Sequence, residues 1–233
     1  MGHASNGYLT CEKKKRSEII SYRSNRFNNL FLGAVSIVVH RNDIIDFITN
    51  YTENPNLKLQ SVLADVKCDV LYNQVLALAI ICNRVTSPYW DLVNSEEHYL
   101  DLYKFFQPLH RKLKLWETDS SELLETDMQP VFSKYPHNKN DCLLLDIGKH
   151  SENMKPEVSI ICGCLSEIME KQLEDFLFNG KYSQEASEML KQETKHCKLT
   201  NIPAENLFGD LDFSMQTKCN TASPLVNHNA EKK

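Results

Sequence analysis

The stretch Pro156-Glu157-Val158-Ser159-Ile160-Ile161-Cys162-Gly163-Cys164-Leu165-Ser166-Glu167-Ile168-Met169-Glu170-Lys171-Gln172-Leu173 decides the fold class. Val158, Ile161, Leu165, Ile168, Met169 and Leu173 recur at steps of three and four, which lines one face of an α-helix. Phe176 and Leu177 extend that stripe, and Asn179-Gly180 supplies a stop. Pro156 suits the first turn, where its fixed φ and missing N–H do no harm.

Working outward, the same period recurs upstream. Val70 to Val85 is apolar nearly all round, which predicts a central helix of the core, ended by Ser87-Pro88. A further helix is expected from Ser95, with Glu96 and Glu97 in its first turn. Its stripe is Tyr99, Leu102, Tyr103, Phe106, Leu109 and Leu113, and Pro108 should kink it. Phe27, Leu30, Phe31, Ala34, Val35 and Val38 form another helical stripe, although Val35-Ser36-Ile37-Val38-Val39 also suits a strand. Asn42 is the expected N-cap of the next helix, with Asp43 in its first turn and Ile44, Ile45, Phe47 and Ile48 as its apolar residues. Asn54-Pro55-Asn56 breaks the chain before a short helix over Leu57–Val66. A helix is expected within Glu117–Tyr135, and a weaker one over Ser183–Lys195. Cys142-Leu143-Leu144-Leu145 reads as a strand or a helical turn.

The reading is a mainly α protein. Residues 1–23 are expected to form a flexible basic arm and 24–199 a helical domain. Residues 200–220 are a separate C-terminal element, and 221–233 a disordered tail.

Composition sets the outer bounds. The 233 residues are 42% hydrophobic and 24% charged, enough for one large domain or two small ones. A total of 7 Gly and 8 Pro is low for an all-β chain with many tight turns. The formal net charge of -5 does not favour stand-alone binding to duplex nucleic acid. Met1 to Thr10 is polar, so the 8 Cys are read as thiols of an intracellular protein rather than as disulfides. Cys162-Gly163-Cys164 is not a zinc signature, because residues two apart lie on different helix faces. The longest apolar run, Val75 to Cys82, is too short to cross a bilayer, and no membrane partner is expected.

Three groups of residues carry candidate chemistry. Lys13, Lys14, Lys15 and Arg16 make a basic cluster that fits nuclear import or phosphate contact. Arg111, Lys112 and Lys114, closed by Trp116, make a second basic face. It is read either as a nucleic-acid contact with the ring stacking on a base, or as a solvated helix face with the ring in the core. In the third group, Glu205, Asp210 and Asp212 crowd the C-terminal segment. Clustered carboxylates suit a hard divalent cation. Glu205 equally suits the first turn of a helix opened by Pro203, where an acid interacts well with the helix dipole.

The segment Asn201-Ile202-Pro203-Ala204-Glu205-Asn206-Leu207-Phe208 resembles the closing signature of hAT-type transposases. Ser24-Asn25-Arg26-Phe27-Asn28-Asn29-Leu30 is similar to that family's Arg-Trp-Asn-Ser segment, with Phe27 at the Trp. Leu76 to Trp90 and the Tyr99–Leu113 helix look like its all-helical insertion, and Lys218-Cys219-Asn220 like its later Lys-Arg-Asn element. The resemblance implies a helical, insertion-like domain followed by a remnant of an RNase H-like α/β fold. It makes Glu205 the vestigial third acid of the catalytic triad. Asn206 departs from the family's Arg and Gly209 from its Ser, and the two partner aspartates, which precede the Arg-Trp segment, have no counterpart before Phe27.

One carboxylate cannot assemble a two-metal site. The expected function is therefore that of a catalytically inactive interaction or dimerisation module. No metal is expected in this chain alone, Mg²⁺ only if upstream acids are supplied, and DNA only as part of a longer protein. The alternatives are a fragment of an active transposase, or an unrelated helical binding module. The expected location is intracellular, with nuclear import as one reading of the basic arm.

Overall fold

The computed structural model describes residues 27–136, 140–151 and 153–199. Among them 71% are helical and no strand is present, so the protein is mainly α. Among the described residues nine α-helices run in order: α1 (Phe27–Val39), α2 (Arg41–Asn50), α3 (Leu57–Lys67), α4 (Asp69–Ile81), α5 (Ser87–Val93), α6 (Tyr103–Thr118), α7 (Asp141–Lys149), α8 (Met154–Gln172) and α9 (Glu188–Thr194). A π-helical segment, Cys82–Thr86, joins α4 to α5. The expected basic arm, the C-terminal signature at 200–220 and the tail lie outside the described residues.

The core is built around α4. Leu76, Ala77, Ala79, Ile80 and Ile81 are each at most 1% exposed, and Val75 and Leu78 are partly buried, so most of the second half of that helix lies in the core. α1, α7 and α8 surround it, and α6 packs along α8. Each fully buried Leu or Ile contributes about 1.5–3 kcal/mol relative to an exposed one. α1 supplies Phe31, Ala34 and Val38, while Leu30, assigned to the same stripe, is 55% exposed.

Three boundaries differ from the expectations. Ser87-Pro88 does not end the helix. The proline has no N–H, and the chain accommodates it by widening one turn, with the Ser87 N–H donating to the Cys82 carbonyl five residues back. Asn42 is not an N-cap. α2 begins at Arg41, directly after a one-residue break at His40, and the Ile44 N–H donates to the His40 carbonyl at 2.9 Å. Glu96 and Glu97 are not in a first helical turn. A 3₁₀ turn at Tyr99–Asp101 precedes α6, with the Leu100 N–H donating to His98 Nδ1 at 3.1 Å.

Two further expectations fall on loops. Glu117–Tyr135 is largely non-helical beyond the end of α6, carrying a 3₁₀ turn at Ser121–Leu124 and an isolated bridge between Phe132 and Tyr135. α8 ends at Gln172, short of Asn179-Gly180. Phe176 and Leu177 still reach the core, because the chain turns back over it instead of continuing the helix. Phe176 meets the edges of Tyr99 and Phe106, with centroids 5.0 and 5.6 Å apart. Gln107 Nε2 donates to the carbonyls of Phe176 and Ser183 and holds that return loop.

Candidate functional site

The π segment is the centre of the molecule's unusual chemistry. All five of its residues are buried, and two of them are Asn83 and Arg84. Arg84 has no exposure, and its side chain is fully engaged. Nε lies 2.9 Å from Asp141 Oδ1 and Nη2 lies 2.7 Å from Oδ2. Nη1 donates to the carbonyls of Leu123 and Glu125, at 3.1 and 2.6 Å. Asn83 Nδ2 adds a bond to Asp141 Oδ1 at 2.6 Å. A buried guanidinium is tolerated only when paired and hydrogen-bonded in this way. The arrangement ties the π segment to α7 and to the 123–125 turn. With every nitrogen of Arg84 occupied, its role is structural.

The opposite side of the same segment faces a cavity of about 400 Å³. Val85 and Thr86 line it, followed by Tyr89, Trp90 and Val93 of α5. Leu109 and Leu113 of α6 and Leu165, Ile168, Met169 and Gln172 of α8 form the facing wall. Leu173 and Leu199 also line it. Thr86 Oγ1 donates to Asn28 Oδ1 at 3.2 Å, so its hydroxyl is spent on α1. Burial pushes the Tyr89 hydroxyl above its ordinary pKa, and its ring stacks on Phe106. The cavity is of ligand-pocket size and mainly apolar. Its chemistry is that of an apolar seat, without a catalytic acid–base pair among its described lining residues.

The basic face of α6 is matched by acids. Lys112 Nζ lies 2.8 Å from Glu122 Oε1. Lys114 Nζ lies 3.1 Å from Glu170 Oε1, which also meets His110 Nε2 at 3.0 Å. Arg111 lies over the Phe178 ring, 5.2 Å from its centroid. Trp116 is 1% exposed and donates from Nε1 to Glu122 Oε2 at 2.7 Å, so its ring belongs to the core and is closed to base stacking. The hydrogen bond from Lys112 holds the Glu122 carboxyl below its ordinary pKa, against the opposing effect of burial and with help from Trp116. Lys13, Lys14, Lys15, Arg16, Glu205, Asp210 and Asp212 lie outside the described residues, so their geometry carries no part of the site.

Cys82 and Cys162 are buried, whereas Cys142, Cys164 and Cys197 are exposed. Burial, reinforced by the charge of Glu117, pushes the Cys162 thiol up to about 12. Cys162 and Cys164 thus point apart, as their two-residue spacing on a helix requires. Among the described residues, no three His, Cys, Asp or Glu side chains gather closely enough to hold a metal ion. None of the described helices is long and apolar enough to cross a membrane.

The sequence reading missed the Arg84–Asp141 junction. Its signal was an Asn-Arg pair inside the apolar run that ends at Val85, where a charge must find a buried partner. No protein-family model, curated protein or solved structure matches this chain.

Proposed function

We propose that this chain is a non-catalytic helical interaction module that associates with a second copy of itself. The observation that carries the reading is the state of α3. This helix of 11 residues contains no fully buried side chain. Leu57 at its start is 80% exposed, and Val70 and Leu71 in the first turn of α4 are 66% and 41% exposed. α3 packs against α2 and α4. Arg41 of α2 fastens the junction, donating from Nε to the Val66 carbonyl at 3.0 Å and lying 3.9 Å over the Tyr72 ring. The result is a fixed helical pair that leaves Leu57, Val70 and Leu71 exposed, and association is one way to cover such residues. The charges along α3, Lys58, Asp65 and Lys67, include both signs, so a second copy meets little like-charge repulsion.

The resemblance of Asn201–Phe208 to the closing signature of hAT-type transposases supports descent from such an enzyme, with an RNase H-like remnant at 200–220. That resemblance aligns Glu205 with the third acid of the family's triad, and the proposal takes this chain by itself to be non-catalytic. The purified chain is expected to leave supercoiled and linear DNA intact in Mg²⁺ or Mn²⁺. Metal-dependent cleavage that disappears in Glu205→Ala would overturn that part of the proposal.

A further inference from the structure

α9 contains no buried side chain, so its attachment rests largely on polar contacts. Lys191 makes two of them. Its carbonyl lies 3.0 Å from His98 Nε2, and its Nζ lies 3.2 Å from Asp101 Oδ1. Both partners belong to the turn before α6. His98 Nδ1 accepts from the Leu100 N–H at 3.1 Å and so caps the 3₁₀ turn Tyr99–Asp101. One imidazole thus shapes that turn and holds α9 against it.

The two bonds fix the protonation of the ring. A carbonyl only accepts, so Nε2 carries the hydrogen. A backbone N–H only donates, so Nδ1 carries none. The ring is therefore neutral in this arrangement. A proton added at Nδ1 would set two N–H groups against each other across 3.1 Å. The ring must then leave the Leu100 N–H, and its bond to the Lys191 carbonyl goes with it. The acids nearby are already engaged or face solvent. Glu97 pairs with Lys134, Asp101 pairs with Lys104 of α6 and Lys191 of α9, and Glu96 is exposed.

We infer that His98 is a pH-sensitive latch for α9. The neutral imidazole holds the helix to the turn before α6, and protonation in histidine's titration range of about pH 5–8 releases it. The released state takes up a proton that the docked state excludes, so docking weakens as pH falls. Leu199 follows α9 and lines the cavity, so release also loosens that side of the cavity. The latch uses neither α3 nor the start of α4 and is independent of self-association.

The test is amide exchange of the full chain, corrected for the intrinsic effect of pH on exchange. Protection over residues 188–195 should fall about tenfold between about pH 7.5 and about pH 5. Protection over residues 158–169 of α8 should not change. His98→Asn keeps an acceptor for the Leu100 N–H but does not titrate, so its protection over 188–195 should be the same at both pH values. His196→Asn, altered at an exposed histidine beyond α9, should behave as the wild type. Wild-type protection that is absent at the higher pH, or equal at both, would overturn the inference. So would a pH dependence that persists in His98→Asn or vanishes in His196→Asn. An equal loss in α8 would also overturn it, because acid would then be unfolding the whole domain. Nitrogen-15 NMR of the imidazoles gives an independent reading. His98 should carry its hydrogen on Nε2 at neutral pH, and a hydrogen on Nδ1 would contradict the latch.

Discussion

Arg84 and Asp141, 57 positions apart, meet through two hydrogen bonds of 2.9 and 2.7 Å that join the π segment to the first turn of α7. The pair also fixes what the neighbouring residues do. With Arg84 turned toward α7, Val85 and Thr86 are left to face the cavity. Asp141→Ala leaves a buried guanidinium without its counter-charge. Breaking such a pair costs about 3–5 kcal/mol, to be read from the urea midpoint. Adding Arg84→Met to that variant should recover part of the loss, because the unpaired charge is then removed. If the double variant is less stable than Asp141→Ala alone, the junction is not held by charge pairing.

Glu122 makes stability depend on acid pH. Its folded-state pKa is held below the ordinary glutamate value, chiefly by Lys112. A carboxyl depressed on folding contributes stability above its unfolded pKa of about 4.3 and loses it as pH falls through the lower folded value. The difference in urea midpoint between the wild type and Glu122→Gln should therefore be largest at pH 6 and shrink toward pH 3. A difference that stays constant over that range would show that Glu122 acts through packing alone.

The cysteines offer a chemical readout of the fold. Cys162 is buried, with its thiol pushed up to about 12, so it has almost no thiolate at neutral pH. Cys142, Cys164 and Cys197 are exposed. A brief alkylation at pH 7.5, followed by peptide mass spectrometry, should label these three and spare Cys162 until denaturant is added. Labelling of Cys162 at the rate of Cys164 would contradict the packing of α8.

Gly180 marks the tightest point of the return loop. A Cβ added there would lie 2.2 Å from the Glu174 carbonyl oxygen, and that neighbour is backbone. Gly180→Ala should cost about 1–3 kcal/mol or more through forced backbone movement. It should also release the Phe176 ring from its contacts with Tyr99 and Phe106. Loss of near-ultraviolet circular dichroism with retained helical signal would register the change. Unaltered stability would contradict the close approach.

The helices were legible where one apolar stripe met one core wall. Val158, Leu165 and Met169 are buried as their spacing predicts. Ile168 belongs to the same stripe yet remains 46% exposed, because the stripe is wider than the wall described opposite it. Pro88 misled for a different reason. Sequence punctuation shows that an N–H is missing but not that a widened turn can absorb the loss. The basic face of α6 was equally ambiguous. Lys112 and Lys114 find their acids on the Ser121–Leu124 turn and on α8, partners set by tertiary packing and invisible in local spacing.

Self-association through the α3–α4 face is tested most directly by sedimentation equilibrium over about a hundredfold range of protein concentration, on the wild type and on Val70→Asp/Leu71→Asp. The proposal predicts a wild-type mass that rises from monomer toward dimer, and a variant that remains monomeric with unchanged circular dichroism. A wild-type chain that is monomeric at every concentration would contradict it.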